Sequence, residues 1–117
     1  MPDHDELGAP DLRVRRTELS RSLNLQADRI RGLPLARLDR PSALSGTSPA
    51  DAVRAAVQAL ADLAADAEGE PRRPLPRLAT HGVGDQLAVV GGDVLQFGDA
   101  AALAAAHQVI VEMRRAL

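Results

Sequence analysis

Gln86-Leu87-Ala88-Val89-Val90-Gly91-Gly92-Asp93-Val94-Leu95-Gln96-Phe97 is the stretch on which the fold turns. Read at a period of two, it is a hairpin, with Gly91-Gly92 as the two-residue turn between short apolar strands. Read at the helical period, Val83, Leu87, Val90, Val94 and Phe97 share one face, and Gly91 lies there as a point of close packing. Two glycines inside a helix cost roughly 1 kcal/mol each, which good tertiary packing offsets. A lone hairpin needs a sheet to join, and the rest of the chain offers no other strand. The helix, over residues 84–97, is the reading taken; a hairpin at residues 86–97 is its alternative.

The flanking sequence fits a helical chain. Downstream, Gly98 stops one helix and Asp99 caps the next, expected over residues 99–116. Leu103, His107, Ile110 and Leu117 define its buried face, with Ala106 and Met113 beside it. Arg114 and Arg115 sit where the helix dipole favours cations. Upstream, Glu70-Pro71-Arg72-Arg73-Pro74-Leu75-Pro76-Arg77 is a Pro/Arg-rich extended link over residues 70–77. Before it, Ser48-Pro49-Ala50-Asp51 is a strong start signal: a capping hydroxyl, a proline suited to the first turn and an acid at the positive helix end. That helix spans residues 49–68, buries Val53, Val57, Leu60, Ala64 and Ala67, and ends at Gly69. A first helix spans residues 11–31 behind Asp11 as N-cap. Its stripe is Leu12, Leu19, Leu23, Ala27 and Ile30, with a gap at Arg16. Gly32 and Pro34 end it, and Leu35 to Leu38 suit a short helical turn. Residues 1–10 read as a disordered acidic tail.

The fold class expected is therefore all-α: a small antiparallel bundle of about four helices in a single domain, residues 11–117. Composition agrees. Leu, Val, Ile and Phe make up about a quarter of the chain, enough for a core. There is one Phe and no Trp or Tyr, so Leu and Ala must fill that core. Ala offers little apolar area, so stability must come from closely approaching backbones.

The chain has no cysteine, which rules out disulfides, thiol nucleophiles and Cys-based zinc sites. Met1 to Glu6 is acidic and polar, unlike a secretory leader, and no apolar run reaches membrane-spanning length. Abundant Ala, Arg, Gly and Pro with no Lys match GC-rich codons. A bacterial, cytoplasmic protein is expected.

Catalytic signatures fail one by one. His81-Gly82-Val83-Gly84-Asp85-Gln86-Leu87 contains G-x-G, but Leu87 stands where a dinucleotide fingerprint needs its third glycine. Walker A needs a lysine. No serine lies in G-x-S-x-G. Asp62 and Asp66 are four apart, the usual spacing of a solvated helix face. Pro71 to Pro74 spells P-x-x-P, which reads as a spacer. His81 and Asp85 give at most two metal ligands, and His107 reads as a hydrogen-bonded boundary histidine. No cofactor, metal site or enzymatic activity is expected. A small-molecule or enzyme site around His81, Asp85 and His107 is the remotest alternative.

Charge gives the sharper clue. All fourteen basic residues are arginine. Arg13 to Arg40 holds eight arginines against three acids, whereas Pro41 to Glu70 holds one arginine against five acids. Arg13, Arg15, Arg16, Arg21, Arg29 and Arg31 lie on or beside the first helix and are the candidate partner-binding residues. Two roles compete. Either the basic first helix packs beside the acidic helix 49–68 and is neutralised there, which is the expectation taken, or its arginines serve a partner. A protein partner or a second copy is then expected over nucleic acid, because the chain is net −2 and has no aromatic residues suited to base stacking. The function expected is protein–protein contact by an adaptor or self-associating module. A nucleic-acid-associated regulator is its alternative.

Overall fold

Both glycines of the deciding stretch lie inside one uninterrupted helix, Val83–Phe97. In the computed structural model, which describes the backbone of residues 4–117 and side chains from residue 11 onward, it is the fourth of five α-helices. These are α1 (His4–Gly32), α2 (Leu35–Asp39), α3 (Pro49–Glu68), α4 (Val83–Phe97) and α5 (Ala100–Arg114). A 3-10 turn, Thr80–Gly82, leads into α4. No strand occurs among the described residues, so residues 86–97 do not take the hairpin form.

The glycines show why helix wins. A Cβ at Gly91 would stand 2.6 Å from Leu23 Cδ2, and one at Gly84 would stand 3.2 Å from the Ala27 carbonyl oxygen. Seven residues beyond Gly91, Gly98 accepts a hydrogen bond at its carbonyl from Arg16 Nη2 at 3.2 Å. Thus Gly84 and Gly91, seven residues apart, let α1 and α4 come together, and Gly98, seven further on, takes Arg16 of α1 at its carbonyl. Their partners on α1 fall in reverse order, Ala27 then Leu23 then Arg16, so the two helices are antiparallel.

The local signals act as their chemistry requires. Ser48 Oγ accepts from Asp51 N, Pro49 opens α3, and Gly69 closes it in a left-handed conformation at φ 69°. Asp99 Oδ1 accepts from Ala102 N at 2.8 Å and starts α5. The expected bounds of α4 and of the end of α1 hold to within one residue, α5 ends at Arg114, two residues short, and the start of α1 differs most. α1 begins at His4, so Asp11 lies within it and pairs with Arg15 one turn on, at 2.8 Å, instead of capping. Residues 1–3 of the expected tail lie outside the described residues. The short α2 raises the expected four helices to five, at the place where a helical turn was expected.

The core holds no aromatic side chain. Leu19, Leu23, Ala27 and Ile30 of α1 meet Val83, Leu87, Val90 and Val94 of α4, Val53, Val57, Leu60 and Ala64 of α3, and Leu103, Ala106, Ile110 and Met113 of α5. Phe97 is 43 % exposed and Ala67 lies at the surface, so each expected stripe ends one turn early.

The chain path is not a plain antiparallel one. α4 and α5 each pack against both α1 and α3, while α1 and α3 lie diagonally with no more than fringe contact. The link after α3 runs back along it: Gln58 donates to the Arg73 carbonyl and accepts from Leu75 N, and Arg54 donates to the Leu78 carbonyl. Residues 70–79 at about 3.1 Å each cover roughly 31 Å, matching the roughly 30 Å rise of twenty helical residues. The link therefore returns to the N-terminal end of α3, where Thr80 Oγ1 donates to Asp39 of α2. α4 then runs parallel to α3, and Val90 and Asp93 lie beside Ala64, Ala65 and Glu68 at its far end. No helix among the described residues is long and apolar enough to cross a membrane.

The two adjacent glycines of α4 should answer alanine oppositely. At Gly91 the new methyl meets the buried Leu23, which should cost about 1–3 kcal/mol of overpacking, partly offset by helix propensity. At Gly92 nothing lies within 4 Å, and Gly92→Ala should stabilise by about 0.5–1 kcal/mol. Urea midpoints moving the same way for both would show that the seam does not run through Gly91.

Candidate functional site

Two acids of α3, Asp51 and Asp66, are paired with arginines of the link, and among the described residues none is paired with α1. Asp66 receives Arg72 in a fork, Nε to Oδ1 at 3.0 Å and Nη2 to Oδ2 at 2.7 Å. Asp51 Oδ1 receives Arg54 Nη1 at 2.8 Å and Arg77 Nη2 at 3.1 Å. Asp62 accepts from Gln58. The hydrogen bond from Arg54, aided by Arg77, holds the Asp51 carboxyl below the usual carboxylate range, and Arg72 does the same for Asp66. The expected pairing of a basic first helix with an acidic neighbour is thus corrected. α1 and α3 are diagonal, and a link whose arginines reach Asp51 and Asp66 already lies along α3.

The six candidate arginines of α1 divide. Arg15 pairs with Asp11 within its own helix. Arg31 bridges Asp28 at 2.9 Å and Asp85 of α4 at 2.7 Å, and the Asp85 hydrogen bond raises its guanidinium pKa. Arg16 fills the gap in the apolar stripe: half-buried, it reaches across to the Gly98 carbonyl at the end of α4. Arg13, Arg21 and Arg29 are exposed and form no ion pair among the described residues. Three of the six are therefore structural or internally paired, and three remain open to a partner.

The apolar content of this outer face escaped the sequence reading. Val14 is 53 % and Leu25 66 % exposed, on the side of α1 away from the bundle. Their spacing relative to Arg21 was visible in the sequence, but a second apolar face is hidden while a helix is assigned only one. Two depressions lie along this face. One, of about 330 Å³, is framed by Asp11, Val14, Arg15 and Glu18 and reaches Leu103, Ala104 and His107 of α5. The other is framed by Arg13, Val14, Thr17, Glu18 and Arg21.

The histidines do not converge. His107 is exposed at the rim of the α1–α5 depression, not on the buried face, because Leu103, Ala106, Ile110 and Met113 set the phase of α5. Asp85 is tied to Arg31, thirteen residues beyond Glu18 on α1, or roughly 20 Å along the helix. His81 is exposed in the 3-10 turn at that same far end. Among the described residues no three His, Cys, Asp or Glu side chains gather where they could share an ion.

Comparison with protein-family models, curated proteins and solved structures finds no match to this chain.

Charge removal should separate the two kinds of arginine. Arg13→Gln with Arg21→Gln should leave stability within about 0.5 kcal/mol, as for surface changes without partners. Arg16→Ala should cost about 1–2 kcal/mol, because the buried Gly98 carbonyl loses its donor. Equal losses on thermal melting would contradict this division.

Acid should loosen the link. Asp51 and Asp66 have lowered pKa values in the folded chain. Their contribution is full above the ordinary Asp value, about 4, and is lost as pH falls through the lowered values. Amide shifts of residues 72–78 should move together in that acid range while those of Leu23 and Val90 hold. Link shifts that stay fixed to pH ~2, well below that ordinary value, would contradict the strap.

Proposed function

We propose that the protein is a non-enzymatic interaction module that works by contact with another protein, and that α1 is its contact element. One observation carries the reading: the face of α1 turned away from the bundle bears exposed Val14 and Leu25 near Arg13, Arg21 and Arg29, which form no ion pair among the described residues. Apolar side chains interleaved with arginine suit a protein interface, where arginine is enriched and flanking contacts exclude water. The face is rigidly presented, because the opposite side of α1 is anchored by Leu19, Leu23, Ala27 and Ile30.

A second reading takes part of the same face for a polyanion. Arg13, Thr17, Ser20, Arg21 and Asn24 form an arc of the helix without a carboxylate, which would suit phosphate oxygens. That reading makes the function a nucleic-acid-associated one and leaves Val14 and Leu25 without a role.

A photo-crosslinking residue in place of Leu25, compared with one in place of Leu44, tests the proposal in living cells. Leu44 is fully exposed in the loop before α3, at 100 %, and serves as the off-face control. Discrete protein adducts from position 25 and none from 44 are expected. Nucleic-acid adducts at 25, with binding that weakens steeply between about 50 and 200 mM salt, would favour the second reading. No adduct at 25 would end both.

A further inference from the structure

α1 is built with two seams. Leu19, Leu23, Ala27 and Ile30 face the bundle. Diametrically opposite, at 100° per residue, lie Asp11, Val14, Glu18, Arg21, Leu25 and Asp28, all exposed. Their steps of three, four, three, four and three are those of a coiled-coil seam. Among the described residues no element covers this second seam, since α1 packs on α4 and α5 with no more than fringe contact elsewhere.

The seam is complementary to itself in one direction. Set two copies of α1 antiparallel with Val14 opposite the partner's Leu25. The pairs 14/25 and 18/21 share a midpoint, so Glu18 then falls opposite the partner's Arg21, and the two-fold axis repeats both pairs. Each side thus presents an apolar layer, two opposite-charge layers and an apolar layer. The next layer out sets Asp11 against the partner's Asp28, yet each is already neutralised in its own helix, by Arg15 at 2.8 Å and Arg31 at 2.9 Å. The flanking positions bring Thr17 to the partner's Asn24 and Arg15 to the partner's Ser22, with no like charges facing. A parallel pairing would set Glu18 on Glu18 and Arg21 on Arg21, so the charge order selects the antiparallel arrangement.

The surface also has the matching relief. Knobs-into-holes packing needs four residues at i, i+3, i+4 and i+7 around each hole. Asp11, Val14, Arg15 and Glu18 frame one such hole, and Val14, Thr17, Glu18 and Arg21 frame the next; both are depressions of the folded surface. In the antiparallel register the partner's Leu25 enters the first hole, which opens toward Leu103 and Ala104 of α5.

From this geometry we infer that a second copy of this chain docks antiparallel on the outer seam of α1, with Val14–Leu25 layers flanking Glu18–Arg21 layers. The inference rests on the protein-contact reading above and names its partner. Two apolar layers make a weak contact, so the dimer forms only at high concentration.

Sedimentation equilibrium over a hundredfold concentration range reaching about 1 mM tests it. The wild type should shift from monomer to dimer across that range. Glu18→Arg alone or Arg21→Glu alone sets like charges in both central layers and should weaken dimerisation about tenfold or more. The double reversal, Glu18→Arg with Arg21→Glu, restores opposite charges and should recover it. Leu25→Ser should abolish it. These side chains point away from the core, so every variant should melt like the wild type. A monomeric wild type at all concentrations, or a double reversal no better than the single ones, would overturn the dimer. If position 25 still crosslinks a different protein in cells, the dimer falls while the contact reading stands; the absence of any protein adduct ends both.

Discussion

The contact between Gly91 of α4 and Leu23 of α1 is the constraint on which the rest of the molecule depends. A core of Leu, Val, Ile, Met and Ala must gain its attraction from many small contacts, and those need backbones close together. Gly84 and Gly91 provide that approach, and Gly98 extends the seam to the end of α4. Glycine weakens an isolated helix; here the tertiary contact that its missing side chain permits supplies what the helix lacks. The same contact fixes the rotation of α1 about its own axis. With Leu23 seated on Gly91, Val14 and Leu25 must face outward.

The link over residues 70–80 decides how charge is shared. A short connection after α3 would return α4 antiparallel to it. This link instead spends its length returning in extended form, so α4 starts beside the N-terminus of α3. Its Arg72 and Arg77 meet Asp66 and Asp51 on the way. With Asp51 and Asp66 matched by neighbours in sequence, the arginines of α1 have no claim on them, and the diagonal placement of the two helices keeps them apart. The opposite net charges of the two segments are thus separate local facts. In the acidic segment Asp51 and Asp66 are paired within the chain, and in the basic segment Arg13, Arg21 and Arg29 stay exposed.

Much of the fold was legible because its determinants are local. Ser48-Pro49, Gly69 and Asp99 mark helix ends by hydrogen bonds that reach at most a few residues. The stripes of α3 and α4 follow from period alone, and Gly91 could be placed on the packing face of α4. Neighbour identity was not legible. A period says which face is buried, not which helix covers it, so the pairing of α1 with α4 and the parallel course of α3 and α4 needed the three-dimensional path. His107 was placed on the wrong face because Leu103, Ile110 and Leu117 align with it as well as Leu103, Ala106 and Met113 align without it. Only burial of the alanine decides. Arg16 looked like a defect in a stripe, but a long side chain at the end of a helix pair can reach a carbonyl that a leucine cannot.

The same logic explains why the candidate surface was read from its arginines and not from its apolar residues. On α1 the inner apolar stripe and the outer pair Val14 and Leu25 lie on opposite sides, so a search for one apolar face finds the inner one and counts the rest as solvated. The arginines then seem scattered around a polar arc, because they flank two seams at once. Once Leu23 is fixed on Gly91, the scatter resolves. Arg16 borders the inner seam and is tied to Gly98, and Arg31 is tied to Asp85. Arg21 sits in the outer seam with Arg29 beside it, and Arg13, about five turns before Arg31 on the same side, lies between the two seams. A helix divided in this way can give up any outer residue without loosening the core, so the proposed association can be removed while the fold stays.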